Sequence, residues 1–262
     1  MRTTAAPPEP RVPQDARYDR IGVGYARQRR EDPHLVAILR RALGNARDVV
    51  NVGAGAGSYE PTDLHVIAVE PSAVMAAQRP VDRPAVRAFA HALPLHDKSV
   101  DAAMTVLSLH HWDEQQEAGV REMARVARQR VVILTIDPHI EPLMWLMADY
   151  LTEVGDLDRR IFPPPARVAA WLGGASIEAV PISRDTPDWS LMSFWAHPGR
   201  VLDPAARQAT SGFARQTDEV VARVVRDVGR DLADGTWDRR YGHLRDLDAY
   251  DCGLRLIVAD LT

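Results

Sequence analysis

Three glycines at alternate positions, Gly53, Gly55 and Gly57, follow a short apolar run in the segment VVNVGAGAG. Because these positions carry no side chains, their backbone amides can approach a ligand closely, and the chain can turn sharply into a helix. Glu70 stands 19 residues after Asn51, at the end of the next apolar run, where a carboxylate can accept hydrogen bonds from both hydroxyls of a ribose. A glycine loop alone is equally typical of an ordinary tight turn. The loop and the carboxylate together predict a site for an adenosine-containing cofactor.

The spacing of the glycines separates the candidate cofactors. The dinucleotide fingerprint G-x-G-x-x-G/A requires Gly or Ala at the position that Ser58 occupies, so a nicotinamide dehydrogenase is a disfavoured alternative. Glycines at 53, 55 and 57 suit an adenosine with a short amino-acid tail, and S-adenosylmethionine fits this loop better than NAD. The phosphate-binding pattern Gly-Lys-Ser/Thr is absent, which disfavours ATP chemistry.

The candidate groups for chemistry lie at strand ends that face this cofactor. Transfer of a methyl group from a sulfonium requires alignment of the nucleophile and, for some acceptors, a base. His110 and His111 follow one predicted strand and Asp137 follows the next, so a histidine and the aspartate could form an oriented base. The alternative is that one histidine packs beside Trp112 and that Asp137 caps the turn at Pro138. A metal site is not predicted, because no third histidine lies at useful spacing.

The elements that must position these residues alternate between strands and helices. Apolar β-branched runs predict strands, and helical spacing with capping residues predicts helices. The predicted strands are 49–52, 65–70, 84–90, a run from Asp101, and 131–137, and the predicted helices are 18–43 with a break at Asp32-Pro33, 71–78 and 114–128. This alternation predicts an α/β fold with a doubly wound, mostly parallel sheet, whose ligands bind at the carboxyl ends of the strands.

The regular alternation ends near residue 140. We predict a disordered leader over 1–14, a cofactor-binding core over 15–140, a helical cap over 141–250 with one core strand near 176–182, and a final core strand over 251–262. The cap is expected to pack over the open edge of the sheet, above the ligand site.

Five of the six tryptophans lie in the cap region: Trp145, Trp171, Trp189, Trp195 and Trp237. They could line an apolar or aromatic substrate cavity, or they could form the core of the cap itself. The pair Arg239-Arg240 beside Tyr241 could hold an acidic substrate group or lie on a solvated helix face.

Composition narrows the class of protein. The 262 residues include 32 Lys plus Arg and 36 Asp plus Glu, a formal net charge of −4, so a nucleic-acid partner is not predicted. Cys252 is the only cysteine, which excludes an intrachain disulfide and a cysteine-based zinc site. The longest apolar stretches are too short to span a bilayer, and the leader lacks the apolar core of a signal peptide. We therefore expect a cytoplasmic protein with a small-molecule substrate, and the oligomeric state is open.

The ordered motifs VVNVGAGAGSYE, VIAVEPS, HALPLHDKSVDAAMTVLSLHHW and RVVILTIDP resemble those of class I S-adenosylmethionine-dependent methyltransferases. The most similar group is the type-11 set, which includes ubiquinone- and menaquinone-biosynthesis enzymes, and the resemblance covers about residues 18–140. It implies a Rossmann-like seven-stranded sheet, a methyl donor on the Gly53–Gly57 loop, Glu70 on its ribose, and Ala90 and His91 beside its adenine.

The resemblance also implies a set of residues that bind S-adenosylmethionine and release S-adenosylhomocysteine. In related enzymes an amino-terminal helix folds over the donor, which here would place two tyrosines and an arginine there; a helix packed on the sheet is the alternative. The full set is Tyr18, Tyr25, Arg29, Asn51, Gly53, Ala54, Gly55, Gly57, Glu70, Pro71, Ser72, Met75, Ala90, His91, Ala92 and Leu107.

Two positions depart from the pattern of this family. Many relatives have Asp where Asn51 and Phe89 stand, and Phe89 cannot accept a hydrogen bond from the adenine amino group. Phe89 could line the adenine site by apolar contact or belong to the core. We predict methyl transfer to a small molecule, in specialised metabolism. The alternative is an accessory or regulatory protein that binds the cofactor without catalysis.

Overall fold

The structure is a computed structural model and describes residues 30–261. Its first helix, α1, spans Pro33–Ala42 and begins as the sequence predicts, because the side chain of Asp32 accepts a hydrogen bond from the His34 backbone nitrogen at 2.8 Å. One face of α1 is buried, including Leu39, and the helix ends before Gly44, whose φ is +60°.

Within residues 30–261, nine strands form two sheets. In chain order they are β1 Asp48–Val52, β2 His65–Val69, β3 Ala85–Val86, β4 Val100–Val106, β5 Ala127–Ile136, β6 Ser176–Ala179, β7 Ile182–Ser183, β8 Ala249–Tyr250 and β9 Leu254–Asp260. The main sheet has seven strands in the order β3-β2-β1-β4-β5-β9-β6, and β7 pairs with β8 separately. Strands β1 to β5 are parallel, and β9 is antiparallel to both β5 and β6. The predicted doubly wound, mostly parallel seven-stranded sheet is confirmed.

The remaining helices flank this sheet. They are α2 Ala73–Ala76, α3 Gln116–Val126, α4 Thr152–Ile161, α5 Pro165–Trp171, α6 Pro204–Gln208, α7 Ser211–Ala214, α8 Asp218–Ala233 and α9 Thr236–Tyr241. Short 3-10 turns and one π-helical turn, Leu146–Tyr150, connect several of them. Within the described part of the chain, none of the helices has both the length and the apolarity that crossing a bilayer requires.

The sheet has two buried faces, as its period-two side-chain alternation dictates. Met104 of β4 and Leu134 of β5 point to the face that carries α1 and much of the segment 141–250. Ala103 and Ile133, one residue away on each strand, point to the opposite face, which α3 and α5 cover. The carboxyl ends of β1 and β4 meet where the strand order reverses, which is where ligands bind in open sheets of this kind.

Some of the elements that follow the glycines differ from the prediction. Residues 53–64 contain no helix, although the sequence suggested a sharp turn into one. Only twelve residues separate β1 from β2, and they include three glycines and Pro61, all of which oppose helix formation. Strand β3 has two residues instead of the predicted seven over 84–90, and α3 stops at Val126 because the chain continues directly into β5.

The cap region also packs differently from the prediction. Three of its tryptophans, Trp145, Trp195 and Trp237, are at most 2% exposed and belong to the same apolar cluster as the sheet residues Met104 and Leu134. The segment therefore covers one face of the sheet as part of a continuous core, rather than sitting only over its open edge. These tryptophans are core residues, which is the second of the two interpretations offered by the sequence.

The predicted strand near 176–182 divides in two. Residues Ser176–Ala179 form β6 at the edge of the main sheet, and Ile182–Ser183 pair in the small sheet. Pro181 lies between them and has no N–H to continue the ladder, which explains the break.

Candidate functional site

The glycine loop is fixed to the end of β2 by its own backbone. The nitrogens of Gly53 and Ala54 both donate to the carbonyl oxygen of Val69, at 2.8 and 3.0 Å. Gly53, Gly55 and Gly57 have φ values of +72°, +52° and +97°, a left-handed conformation that side chains disfavour. Glycine is therefore required at these positions by the path of the chain.

Each glycine faces a different neighbour. A Cβ atom on Gly53 would lie 1.9 Å from Ser108 Oγ, and one on Gly57 would lie 3.1 Å from Arg79 Nη1. A Cβ atom on Gly55 would meet only the end of the Met75 side chain, at 3.4 Å. Gly55 is therefore the position where the loop is most open, and protein side chains cover the other two.

Glu70 lies at the end of β2, beside the loop. Its two carboxylate oxygens accept hydrogen bonds from the backbone nitrogens of Gly55 and Ser72, both at 2.8 Å. Burial raises the pKa of this carboxyl group, and the two backbone hydrogen bonds oppose that shift. An ionised carboxylate has about four acceptor sites, so Glu70 can hold the loop and still accept hydrogen bonds from a ligand.

A buried ion pair braces the other side of the loop. Arg79 Nη2 lies 2.7 Å from Glu60 Oε2, and both side chains are 2% exposed. Arg79 Nη1 also donates to the carbonyl oxygens of Ala54 and Gly55 at 3.4 and 3.3 Å. Asn51 Nδ2 donates to Glu60 Oε1 at 3.0 Å. The sequence analysis missed this network, because nothing in the spacing of Glu60 and Arg79 marks them as partners.

The two polar atoms of the Asn51 side chain differ in their hydrogen bonding. Within residues 30–261 its buried Oδ1 has no hydrogen-bond partner. Buried acceptors are normally paired in folded proteins, so an orphan beside the loop is consistent with a donor group supplied by a ligand.

Residues 89–92, the segment predicted to lie beside the adenine, follow β3. Phe89 is 36% exposed and stacks on His91, with ring centroids 5.4 Å apart and planes inclined by 15°. Phe89 therefore does not belong to the core, which removes one of its two interpretations. Ala90 is buried and Ala92 is exposed.

The other predicted cofactor residues within the described part of the chain lie at the start of α2 and directly after β4. The oxygen of Ser72 accepts from the Met75 nitrogen at 3.2 Å and thereby caps α2, directly after Pro71. Leu107 has a φ of +50°, a rare conformation for a residue with a side chain, and lies at the end of β4. Predicted positions Tyr18, Tyr25 and Arg29 lie outside the described residues.

The three candidate catalytic residues are not equivalent. The ring of His110 lies 4.2 Å from that of Phe162 and 3.7 Å from that of His111. Asp137 Oδ1 accepts from the His139 nitrogen at 3.0 Å, so it caps the turn at Pro138. Within residues 30–261 the structure shows no hydrogen bond between Asp137 and either histidine. The predicted pairing of a histidine with Asp137 therefore stays a prediction.

A pocket lies between the sheet and the segment 141–250. The space between its walls, including the part open to solvent, is about 870 Å³, and most of its lining is apolar. Leu107 and Ile136 line it from the strand ends, and His110 lines it from the turn after β4. Because Ser108 contacts Gly53, the segment 107–110 joins this pocket to the glycine loop.

Two charged residues line the same pocket, and the sequence analysis missed both. Asp158 lies on α4, and desolvation raises its pKa to about 6, although the charges of Arg215 and Arg159 oppose the shift. Arg215 follows α7, and its buried Nη2 has no partner within residues 30–261. Both residues lie in segments with many charged residues and a helical pattern. The sequence alone does not show which of those charges face solvent and which line a pocket.

The region around the glycine loop is similar in sequence to a known protein family. Residues 50–135 match a family model described as a methyltransferase domain, of the type-11 group. None of the curated proteins is detectably similar in sequence to this chain.

Solved methyltransferase structures share the fold, including the following two. One is a methyltransferase from Anabaena variabilis that is attributed to an antibiotic biosynthesis pathway; it is 28% identical, covers 89% of this chain and 99% of its own, and has a TM-score of 0.82. The other is phosphoethanolamine N-methyltransferase 2 from Haemonchus contortus, solved with phosphomonomethylethanolamine and S-adenosylhomocysteine. It is 14% identical, covers 87% of this chain and 52% of its own, and has a TM-score of 0.50, a likeness in fold alone.

Proposed function

We propose that this chain, which is a class I S-adenosylmethionine-dependent methyltransferase of the type-11 group, methylates a small-molecule acceptor held between the sheet and the segment 141–250. The observation that carries the proposal is the shared segment 107–110, which contacts the glycine loop on one side and lines the pocket on the other. An acceptor in the pocket would therefore lie next to the methyl donor.

The residues around the glycine loop fit the donor. S-adenosylmethionine supplies an electrophilic methyl group on a sulfonium, so the protein has to bind it and align an acceptor. Glu70 is fixed by Gly55 and Ser72 and retains acceptor sites for the ribose hydroxyls. The orphan Oδ1 of Asn51 can accept from the ammonium group of the methionyl part. Phe89 and His91 offer an exposed stacked pair to the adenine.

His110 is the candidate that we propose for proton removal from an O–H or N–H acceptor. It lines the pocket, whereas His111 and Asp137 do not. Its ring stacks on Phe162, which fixes its orientation in the pocket wall. We propose that His111 supports this ring by packing and that Asp137 shapes the turn after β5.

The lining of the pocket supports a small-molecule acceptor. Ligand pockets for small molecules usually have mostly apolar walls with a few polar groups, and this pocket has such walls. A role in specialised metabolism is supported by the Anabaena variabilis relative, which is attributed to an antibiotic biosynthesis pathway.

The test combines donor binding with turnover. Calorimetry should show binding of S-adenosylmethionine and of S-adenosylhomocysteine but not of NAD. Incubation with S-adenosylmethionine and a small-molecule extract should release S-adenosylhomocysteine above the level without extract. Glu70→Ala should lose donor binding, and the matched change Glu178→Ala, at an exposed residue of β6, should retain it.

Two results would contradict the proposal. If no donor binds, the glycine loop is not a donor site. If the donor binds but no extract, including one depleted of macromolecules, increases release of S-adenosylhomocysteine, the chain does not methylate a small molecule.

A further inference from the structure

Two oppositely charged side chains line the pocket without partners among the described residues. Neither the Asp158 carboxylate nor the Arg215 guanidinium makes a hydrogen bond or an ion pair with any residue from 30 to 261. Arg159, the residue next to Asp158 on α4, is by contrast paired with Asp156 at 2.8 Å. Asp158 and Arg215 instead line the pocket.

Leaving such groups unpaired is unfavourable for folding. A buried guanidinium nitrogen and a desolvated carboxylate each lose hydration that no protein partner replaces. The two groups lie too far apart to form an ion pair with each other, yet Arg215 is close enough to act on the charge of Asp158. Both charged residues line one pocket.

We propose that Asp158 and Arg215 bind opposite ends of the acceptor, a small apolar acid that also carries a hydroxyl or amino group. Arg215 pairs with the anionic group, since a guanidinium suits a carboxylate or another planar anion. Asp158 accepts a hydrogen bond from the O–H or N–H group. The apolar body lies against Phe162, Leu191 and Met192. This inference rests on the proposed function, because it names the acceptor class for the same site.

Both residues are binding residues in this proposal. They lie on α4 and after α7, in the segment 141–250, while His110 and Leu107 line the pocket from the strand ends next to the glycine loop. The charge pair thus sets which acceptor enters, and the strand ends present that acceptor to the donor.

Calorimetry with three probes tests the charges one at a time. The probes are 3-(4-hydroxyphenyl)propionate, its methyl ester, which lacks the anion, and 3-phenylpropionate, which lacks the hydroxyl. Each is titrated into the full chain saturated with S-adenosylhomocysteine. The hydroxy acid should bind about tenfold or more tightly than the ester, as expected for a charge-assisted hydrogen bond. It should also bind more tightly than 3-phenylpropionate.

Variants assign each preference to its residue. Arg215→Met should abolish the preference for the acid over the ester and leave ester binding unchanged. Asp158→Asn should reduce the preference for the hydroxy acid over 3-phenylpropionate. The control changes Arg226→Met and Asp246→Asn remove the same charges from exposed positions outside the pocket and should preserve both preferences.

The outcomes separate this inference from the proposed function. If S-adenosylhomocysteine does not bind, the proposed function and the inference both fall. If it binds but the hydroxy acid binds no better than its ester, or does not bind at all, only the inference is overturned. The same holds if Arg215→Met retains the full preference. Thermal unfolding excludes misfolding as a cause, because the Arg215 side chain has no partner to lose within residues 30–261 and its variant should melt no lower than the wild type.

Discussion

The two halves of the candidate site, the glycine loop and the pocket, differ in how their charged side chains are paired. At the glycine loop, Glu70 is held by two backbone nitrogens, and Arg79 and Glu60 form a buried ion pair that also contacts the loop. In the pocket, the side chains of Asp158 and Arg215 have no hydrogen-bond or ion-pair partner within residues 30–261. The charged groups around the glycine loop, which we call the donor half, are therefore paired within the protein, and those of the pocket, which we call the acceptor half, are not.

This difference predicts opposite effects of mutation on stability. Changes in the donor half should destabilise the fold, because they remove internal partners or introduce clashes. Charge removal in the acceptor half should leave stability unchanged or increase it, since the groups removed are unpaired.

The largest effect is expected from Arg79→Met. It leaves the Glu60 carboxylate buried without its partner, which should lower the free energy of unfolding by about 3–5 kcal/mol. Urea denaturation measures this loss. The control Arg121→Met removes an exposed pair with Glu117 and should cost less than about 1 kcal/mol. Similar losses for the two variants would mean that the network does not brace the loop.

Gly53→Ala should have the next largest effect. The new Cβ would lie 1.9 Å from Ser108 Oγ at a residue with a φ of +72°, so we expect a loss of about 2–4 kcal/mol and weakened donor binding. Gly173→Ala is the control, because its φ is +78° and nothing lies within 4 Å of its Cβ position; it should cost about 1 kcal/mol. Adding Ser108→Gly to Gly53→Ala should restore the part of the stability that Gly53→Ala loses beyond the loss of the control. If the double variant is no more stable than Gly53→Ala, the proposed clash is refuted.

Asp158→Asn should show a pH-dependent gain in stability. Burial raises the folded pKa of Asp158 from 3.8 to about 6, so the folded state binds the proton more tightly than the unfolded state does. The aspartate therefore destabilises the fold progressively as the pH rises from about 4 to about 6, and Arg215 and Arg159 only partly offset this. An asparagine does not ionise, so the variant is not destabilised in this way. The free energy of unfolding of the variant should exceed that of the wild type by an amount that grows across that pH range and reaches about 1–2 kcal/mol. A constant difference across that range would contradict the assignment.

The smallest effect on stability is expected from Arg215→Met. The guanidinium makes no hydrogen bond within residues 30–261, and methionine keeps much of its apolar volume, so the free energy of unfolding should change by less than about 0.5 kcal/mol or increase. A loss of more than about 1 kcal/mol would show that Arg215 stabilises the fold and would remove the contrast between the two halves.

The donor half was predictable because its signals are local in sequence. The glycines and Glu70 lie within one strand-loop-strand unit, and the same residues meet in the structure. The helix suggested after the loop does not form, since a short glycine- and proline-containing connection cannot hold one.

The acceptor half was not predictable for a physical reason. Its walls come from strand ends near Leu107 and Ile136 and from distant parts of the segment 141–250, and only tertiary packing brings them together. Asp158 stands among other charges on α4, and its lack of a partner is a property of the fold. The tryptophans, which were the visible signal of an apolar cavity, form the core instead.

A crystal structure of the chain with S-adenosylhomocysteine would locate the donor site directly. We expect the ribose hydroxyls to lie within hydrogen-bond distance of the Glu70 carboxylate, beside Gly55, with the sulfur facing the pocket lined by His110. If the compound lies elsewhere, or if Glu70 contacts only Gly55 and Ser72 while the compound binds outside the loop, the glycine loop is not the donor site.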